Sequence, residues 1–191
     1  RELDELVEEI LLRSRLDAQG KNASPKTKVD LLGLAAQECA RHGAALSTEW
    51  QAVEIMGYEK LLQRLLRNLL QNAKRYGQNK SACGEEFGLS APVSLQEDKT
   101  PSDVELHISR CPASGAWVLD VLDRGAGVPE ALREKIFEPF FRPPTVAERE
   151  GGVGLGLALV RSIAQHHGGS VQCLAREGGG ACFRVTLPAN C

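Results

Sequence analysis

The chain has 191 residues, enough for one domain of ordinary size and a short appendage. Its apolar and charged fractions, 42% and 25%, are those of a globular protein, and a net charge of −2 gives no bulk electrostatic pull toward nucleic acid or an anionic membrane surface. Apolar runs are short and broken by charge, so no segment reads as bilayer-spanning, and charged residues 1–9 do not read as a signal peptide.

Residues 3–17 carry Leu3, Leu6, Val7, Ile10 and Leu11 at helical spacing, with acids early and arginines late, as the macrodipole prefers. There is no initiator Met and the first residues read as mid-helix, so a piece of a longer protein is expected. The polar stretch from Gln19 to Lys28, with Gly20 and Pro25, reads as a linker. A helix over about 28–43 stops at Gly43 and is followed by extended pieces at 45–49 and 52–56. Over 58–76, Leu61, Leu65, Leu69 and Ala73 form one i,i+4 row and Leu62, Leu66 and Leu70 another, making one broad apolar arc. Residues 77–102 lack periodicity and read as a loop insertion.

Strands then dominate. Val104, Leu106 and Ile108 alternate with Glu105, His107 and Ser109, and 117–123 gives a second strand. A short helix fits 129–136, with Pro129 in its first turn. Residues 138–153 are aperiodic and rich in Pro and Gly. A helix over 154–167 stops at Gly168, and strands at 170–176 and 182–187 flank Gly178-Gly179-Gly180 as a closing hairpin. Helices on one face of a mixed, largely antiparallel sheet make an α+β, two-layer α/β sandwich. The six cysteines form no CxxC pair; their count alone allows disulfides, and the stronger reading is scattered small apolar residues of a reducing compartment.

Three clusters can carry chemistry. Asn68 and Asn72 share a helix face with Tyr76, beside Arg75. The stripe is either a solvated polar border or a set of amide oxygens for Mg²⁺, a hard cation that keeps several waters. In the run 123–129, Asp123 has the parity of Trp117, Leu119 and Val121, so its carboxylate faces the buried side and needs donors there. A purine amino group is one such donor, and Gly125 and Gly127 permit close backbone approach; an ordinary Asp-Gly turn is the bland alternative. Gly152, Gly154 and Gly156 precede or open a helix, where exposed amides and the dipole favour phosphate, or they form a simple flexible loop. No Gly-Lys-Ser/Thr follows and no βαβ unit surrounds them, which excludes a P-loop and a dinucleotide fingerprint. Between the clusters lie Phe137, Phe140 and Phe141, a core element or the anchor of a mobile lid.

The segments NLLQNAKRYG (68–77), DRGAGVP (123–129), FEPFFRP (137–143) and GVGLGLALV (152–160) resemble, in that order, the N, G1, F and G2 boxes of sensor histidine kinases. These belong to the ATPase superfamily that also holds gyrase B, the MutL mismatch-repair proteins and Hsp90. The resemblance covers about 28–189. It implies a Bergerat-type ATP-binding catalytic domain at 28–191, a linker at 19–27, and at 1–18 the end of a dimerisation and phosphotransfer helix. It further implies that Asn72 ligates Mg²⁺ with Asn68 in support, that Arg75 contacts phosphate and that Tyr76 lies beside the nucleotide. Asp123 would accept from the adenine amino group in a pocket shaped by Gly125, Gly127 and Val128. Phe137, Phe140 and Phe141 would hinge and anchor an ATP lid at 138–153, with Arg142 as a cation for the γ-phosphate. Gly152, Gly154, Leu155 and Gly156 would present backbone amides to the phosphates.

The family's phosphoacceptor is a His on a long helix, followed by an acid and then a Pro. His42, His107, His166 and His167 all lack that setting; His107 falls on a strand's polar face, while His166 and His167 sit at a helix C-terminus, where cations are favoured. The implied partners are therefore ATP, a separate dimerisation and phosphoacceptor domain and a response regulator receiver domain, with no nucleic acid. The full-length protein is expected to be a homodimeric inner-membrane sensor whose cytoplasmic side holds this domain, and the fragment alone a monomer. Two departures stand out: Val153 replaces the family's usual Thr, and the 77–102 stretch is longer than usual. Gyrase- and MutL-like relatives carry a Glu one turn before the metal Asn; Asn68 stands there and cannot act as a base, which opposes a hydrolysing clamp. A degenerate nucleotide-binding module is the other alternative, and a serine-kinase anti-sigma factor a more distant one.

Overall fold

The leucine arc read from the sequence organises the fold. In the computed structural model, which describes residues 25–77, 103–143 and 153–189, helix α2 (Glu59–Gly77) buries Leu62, Leu65, Leu66, Leu69, Leu70 and Ala73. Helix α1 (Leu31–His42) packs beside it through Leu31, Leu34, Ala35 and Cys39, and helix α3 (Gly156–His166) through Leu159, Val160, Ile163 and Ala164. Full burial of one leucine stabilises by roughly 1.5–3 kcal/mol, so this layer is the main store of stability.

The opposing layer is a five-stranded sheet in the order β2-β4-β5-β7-β6. Its strands are β2 (Ala45–Thr48), β4 (Glu105–Arg110), β5 (Trp117–Leu122), β6 (Ser170–Ala175) and β7 (Ala181–Leu187). Leu106, Ile108, Leu119, Val121, Phe183 and Val185 are buried, and in β4 their alternation with the half-exposed Glu105, His107 and Ser109 is the period of a sheet covered on one face. Strands β2 and β4 run parallel and the other pairs antiparallel, the mixed two-layer α/β sandwich expected from the sequence. On the open face Asp120 accepts a two-pronged bond from Arg184, both contacts 2.8 Å.

Several expectations are corrected. Residues 27–30 form a strand, β1 (Thr27–Asp30), rather than linker and helix, and pair antiparallel with β3 (Glu54–Gly57) in a separate two-stranded sheet. Asp30 is the N-cap of α1, accepting from the Gly33 amide at 2.9 Å, so the helix begins one turn later than its apolar pattern suggests. The extended pieces at 45–49 and 52–56 enter different sheets. The helix expected at 129–136 is two single 3-10 turns, Glu130–Leu132 and Lys135–Phe137. His167 is no exposed cation: it is 1% exposed, its Nδ1 donates to the Ile163 carbonyl at 2.8 Å, and its Nε2 accepts from the Tyr58 amide at 3.1 Å. Burial therefore pushes its pKa below the ordinary histidine value, against the Ile163 bond. The helix at 3–17, most of the 77–102 insertion, the middle of the 138–153 lid and Gly152 lie outside the described residues.

Between α1 and α2 lies Glu38, fully buried. Gln63 donates to it at 2.9 Å and Arg41 at 2.7 Å, with Arg67 at 3.5 Å. Burial raises its pKa, but these bonds and the Arg67 and Arg41 charges outweigh that and hold it below the usual range. A buried carboxylate met this way fixes how the two helices sit against each other.

Candidate functional site

Asp123 follows β5 with inward parity and is 3% exposed. Its Oδ1 accepts the Gly125 amide at 2.9 Å and the Ala181 amide at 3.1 Å, while its own amide donates to the Ala181 carbonyl at 3.0 Å. Both amide bonds fall on Oδ1, so the carboxylate is oriented and Oδ2 is the oxygen left to meet a ligand. Gly125 and Gly127 are required by crowding. A Cβ at Gly125 would lie 2.1 Å from the Tyr76 carbonyl oxygen, and one at Gly127, where φ is +74°, 2.8 Å from that of Gly180. Arg133 donates to the Val128 carbonyl at 3.2 Å, fixing the end of this loop.

The middle of α2 meets α3. Asn68, 7% exposed, donates through Nδ2 to the Gly156 carbonyl at 3.2 Å. The N-cap of α3, Leu155, makes no side-chain capping bond, which suits the first-turn amides to an anion. At the C-terminal end of α2, Gly77 packs against Asp123: a Cβ there would lie 3.2 Å from the Asp123 Cβ. At 1.5 Å per residue the stretch of helix from Asn68 to Gly77 spans about 13 Å. Asn72, half-buried, and Tyr76, also half-buried, lie along it, with Arg75 exposed beside them. Asn68, Asn72, Arg75 and Tyr76 thus fall along one stretch of helix, with the buried Asp123 carboxylate near Gly77 and the start of α3 beside Asn68.

The Phe motif sits beside the start of α3. Phe137 is buried, edge-on to Phe183 at 6.4 Å, with the Arg161 guanidinium 4.6 Å from its centroid. Phe141 is half-buried against the core. The Phe140 ring, by contrast, is 62% exposed; that residue anchors through its backbone, at φ +63°, by donating to the Gly154 carbonyl at 3.0 Å. A Cβ at Gly154 would meet the Phe141 carbonyl oxygen at 2.8 Å, so Phe140 and Phe141 lie tight against Gly154. Arg142 is half-buried.

Sequence reasoning missed the groups that brace Asp123. Arg176, from the end of β6, donates to the Asp123 carbonyl at 3.1 Å and to Glu105 at 2.8 Å, and Arg124 donates to Glu105 at 3.1 Å. The Arg176 bond, then the Arg124 bond and both charges, hold the Glu105 pKa below the usual range against burial. The only hint was a lone arginine before three glycines, with its partner far away in sequence.

Among the described residues, no group of three or more His, Cys, Asp or Glu side chains is placed to hold a metal, and no helix is long and apolar enough to cross a membrane. Residues 57–190 match the family described as histidine kinase-, DNA gyrase B- and HSP90-like ATPase. The sensor protein CutS of Streptomyces coelicolor is 34% identical over 190 residues, covering 96% of this chain and 40% of its own length. The sensor-like histidine kinase SenX3 of Mycolicibacterium smegmatis is 28% identical, covering 97% of this chain and 44% of its own length. The chain thus spans under half the length of these relatives. Among solved structures, full-length ShkA in complex with AMPPNP superimposes with a TM-score of 0.70 at 27% identity, over 97% of this chain and 35% of that one. The mycobacterial sensor histidine kinase MprB shares the fold, with a TM-score of 0.62 at 22% identity over 85% of this chain and 97% of that one.

Proposed function

The chain belongs to the histidine kinase-, DNA gyrase B- and HSP90-like ATPase family and is an ATP-binding catalytic domain of the two-component sensor kinase type; from that premise we propose that it binds Mg-ATP along α2 and passes the γ-phosphoryl group to a histidine on a dimerisation helix, for relay to a response regulator. The observation that supports this is a chain of contacts along α2: Asp123, oriented by two amides, packs on Gly77, and Asn68, about 13 Å back along the helix, bonds to Gly156 at the uncapped start of α3. That spacing suits a base at Asp123 and phosphates at Asn68 and Gly156.

Asp123 Oδ2 accepts the adenine amino group, with Gly125, Gly127 and Val128 forming the pocket wall. The amides at Gly154, Leu155 and Gly156 receive phosphate oxygens, with Gly152 a further donor. Arg75 and Arg142 add positive charge, and Phe137 and Phe141 seat the lid's hinge. The donor set fits magnesium: Asn72, supported by Asn68, offers amide oxygen, and phosphate supplies the rest. When bound, the ion neutralises charge on the phosphates. A neutral imidazole nitrogen forms the new N–P bond as the bond to the β–γ bridging oxygen breaks and ADP leaves, the proton on the ring's other nitrogen passing afterwards to solvent. Asn68, tied to Gly156, cannot activate water, so intrinsic hydrolysis is slow.

The dimerisation end at 1–18, the linker at 19–27 and the lid at 138–153 belong to the same proposal. So do a homodimeric full-length protein in an inner membrane, a cytoplasmic position for this domain and a receiver-domain partner. A degenerate nucleotide-binding module is the second reading, favoured by Val153, 40% exposed where the family's usual Thr would offer a hydroxyl. Calorimetric titration with a non-hydrolysable ATP analogue, with and without Mg²⁺, tests the site. Saturable, Mg²⁺-dependent binding by the wild type that Asp123→Asn abolishes is the expected result. A folded chain that binds nothing would refute the active-kinase reading.

A further inference from the structure

We propose that the glycine-rich turn between β6 and β7, with Arg176 at its base, is a specificity device that holds the Asp123 carboxylate in the setting that selects adenine; this rests on the nucleotide reading above. Asp123 is gripped by this hairpin at three atoms. Its Oδ1 takes the Ala181 amide at 3.1 Å, its amide reaches the Ala181 carbonyl at 3.0 Å, and its carbonyl takes Arg176 Nη1 at 3.1 Å. The second arm of Arg176 is fixed to Glu105 at 2.8 Å, and the arginine side chain is only 12% exposed. A planar guanidinium bridging two acceptors is a rigid spacer, unlike a lysine.

The turn is built to allow that approach. Gly180 has φ +100°, and a Cβ on it would lie 2.0 Å from the Asp123 carbonyl oxygen. The Gly180 carbonyl in turn crowds Gly127, on the far side of the same pocket wall, where a Cβ would meet it at 2.8 Å. The hairpin thus touches both ends of the 123–127 loop. A carboxylate cannot bond to a 6-carbonyl, but a mobile one can swing to the N1–H of the inosine ring, so it selects the adenine amino group best when its free oxygen is held in place. Arg176 touches no ligand in this arrangement. It is a positioning residue acting through Asp123.

The test compares binding of AMPPNP with that of its inosine counterpart, in which a carbonyl replaces the 6-amino group, by calorimetry on wild type, Arg176→Met and Glu105→Gln. Methionine keeps the aliphatic stem and removes the fork. The wild type is expected to prefer the adenine analogue strongly. Arg176→Met is expected to lose about tenfold of that preference while its affinity for the inosine analogue stays within about twofold. Glu105→Gln, which leaves the Arg176 bond to Asp123, is expected to lose less, and Arg176→Lys to recover part of the loss. Hydrogen exchange in the nucleotide-free protein gives a second readout: the Gly125 and Ala181 amides should exchange faster in Arg176→Met. If both analogues weaken equally, or if discrimination is unchanged in folded Arg176→Met, the proposal is overturned. Should Arg176→Met not fold, unchanged discrimination in Glu105→Gln overturns it. A wild type that binds neither analogue instead refutes the underlying nucleotide reading.

Discussion

The two ends of the Asn68–Gly77 stretch of α2 are built differently. At Asp123 nearly every polar group has a protein partner: two amides on Oδ1, a guanidinium on the carbonyl and a strand bond on the amide. At Gly156 a helix begins with no side-chain cap, beside the Phe140 bond to Gly154. On the proposed reading, recognition of the base would be pre-organised at Asp123, and the phosphates would complete their own site at the start of α3.

The sharpest way to break that contrast is Asp123→Asn. The amide can still accept the Gly125 and Ala181 bonds through its oxygen, but its nitrogen then faces the adenine amino group, donor to donor. Adenine-nucleotide affinity should fall by about 100-fold or more, while the urea midpoint moves little. An equal loss of fold stability would mean the carboxylate is chiefly structural. Next in size is Gly180→Ala. With φ +100° and a Cβ landing 2.0 Å from the Asp123 carbonyl oxygen, it should cost about 3 kcal/mol of stability and weaken adenine binding as well. Gly178→Ala is its control: φ is +81° but the space is open, so roughly 1–2 kcal/mol of backbone strain is expected, with binding unchanged.

That pair of glycines also marks the limit of sequence reading. The three-glycine turn was legible as a hairpin, just as the leucine arc and the alternation around Leu106 and Ile108 were legible as packing faces. Asp123 was legible as an inward carboxylate from parity alone. What was not legible depends on partners distant in sequence. Arg176 meets Asp123 and Glu105 across separations of 53 and 71 residues, which no local pattern encodes. Strand β1 was missed because its four residues bury only Val29, and a strand that short has no visible period. The place of His167 at a helix C-terminus suggested a cation, but the Tyr58 amide and the Ile163 carbonyl satisfy both its nitrogens inside the core.

At the phosphate end the effects should be smaller and separable. Asn72→Ala should lower Mg²⁺-dependent nucleotide affinity by about tenfold, leaving adenine-over-inosine preference intact and changing stability by under about 0.5 kcal/mol. Loss of base preference in this variant would show that the two ends are not independent. The smallest expected effect is pH-linked. His42 and His167 have folded pKa values depressed below 6.5, and Glu38 and Glu105 below 4.5. For all four, the folded state resists protonation, so their stabilising contribution is present above the unfolded value and is lost as pH falls. Urea midpoints should therefore decline below about pH 6.5 through the histidines, then further below about 4.5 through the carboxylates. His167→Gln should flatten the first decline; an unchanged slope would remove His167 from the account.

Because the Ala181 amide and Arg176 come from the last hairpin of the fold, the order of synthesis matters to the site. A ribosome delivers β5 and Asp123 well before β6 and β7, so a nascent chain carries the carboxylate without its clamp and leaves β5 an open sheet edge. On the proposed reading, a nascent chain gains its hold on adenine only once β6 and β7 have emerged, and a product released before them is blind to that base.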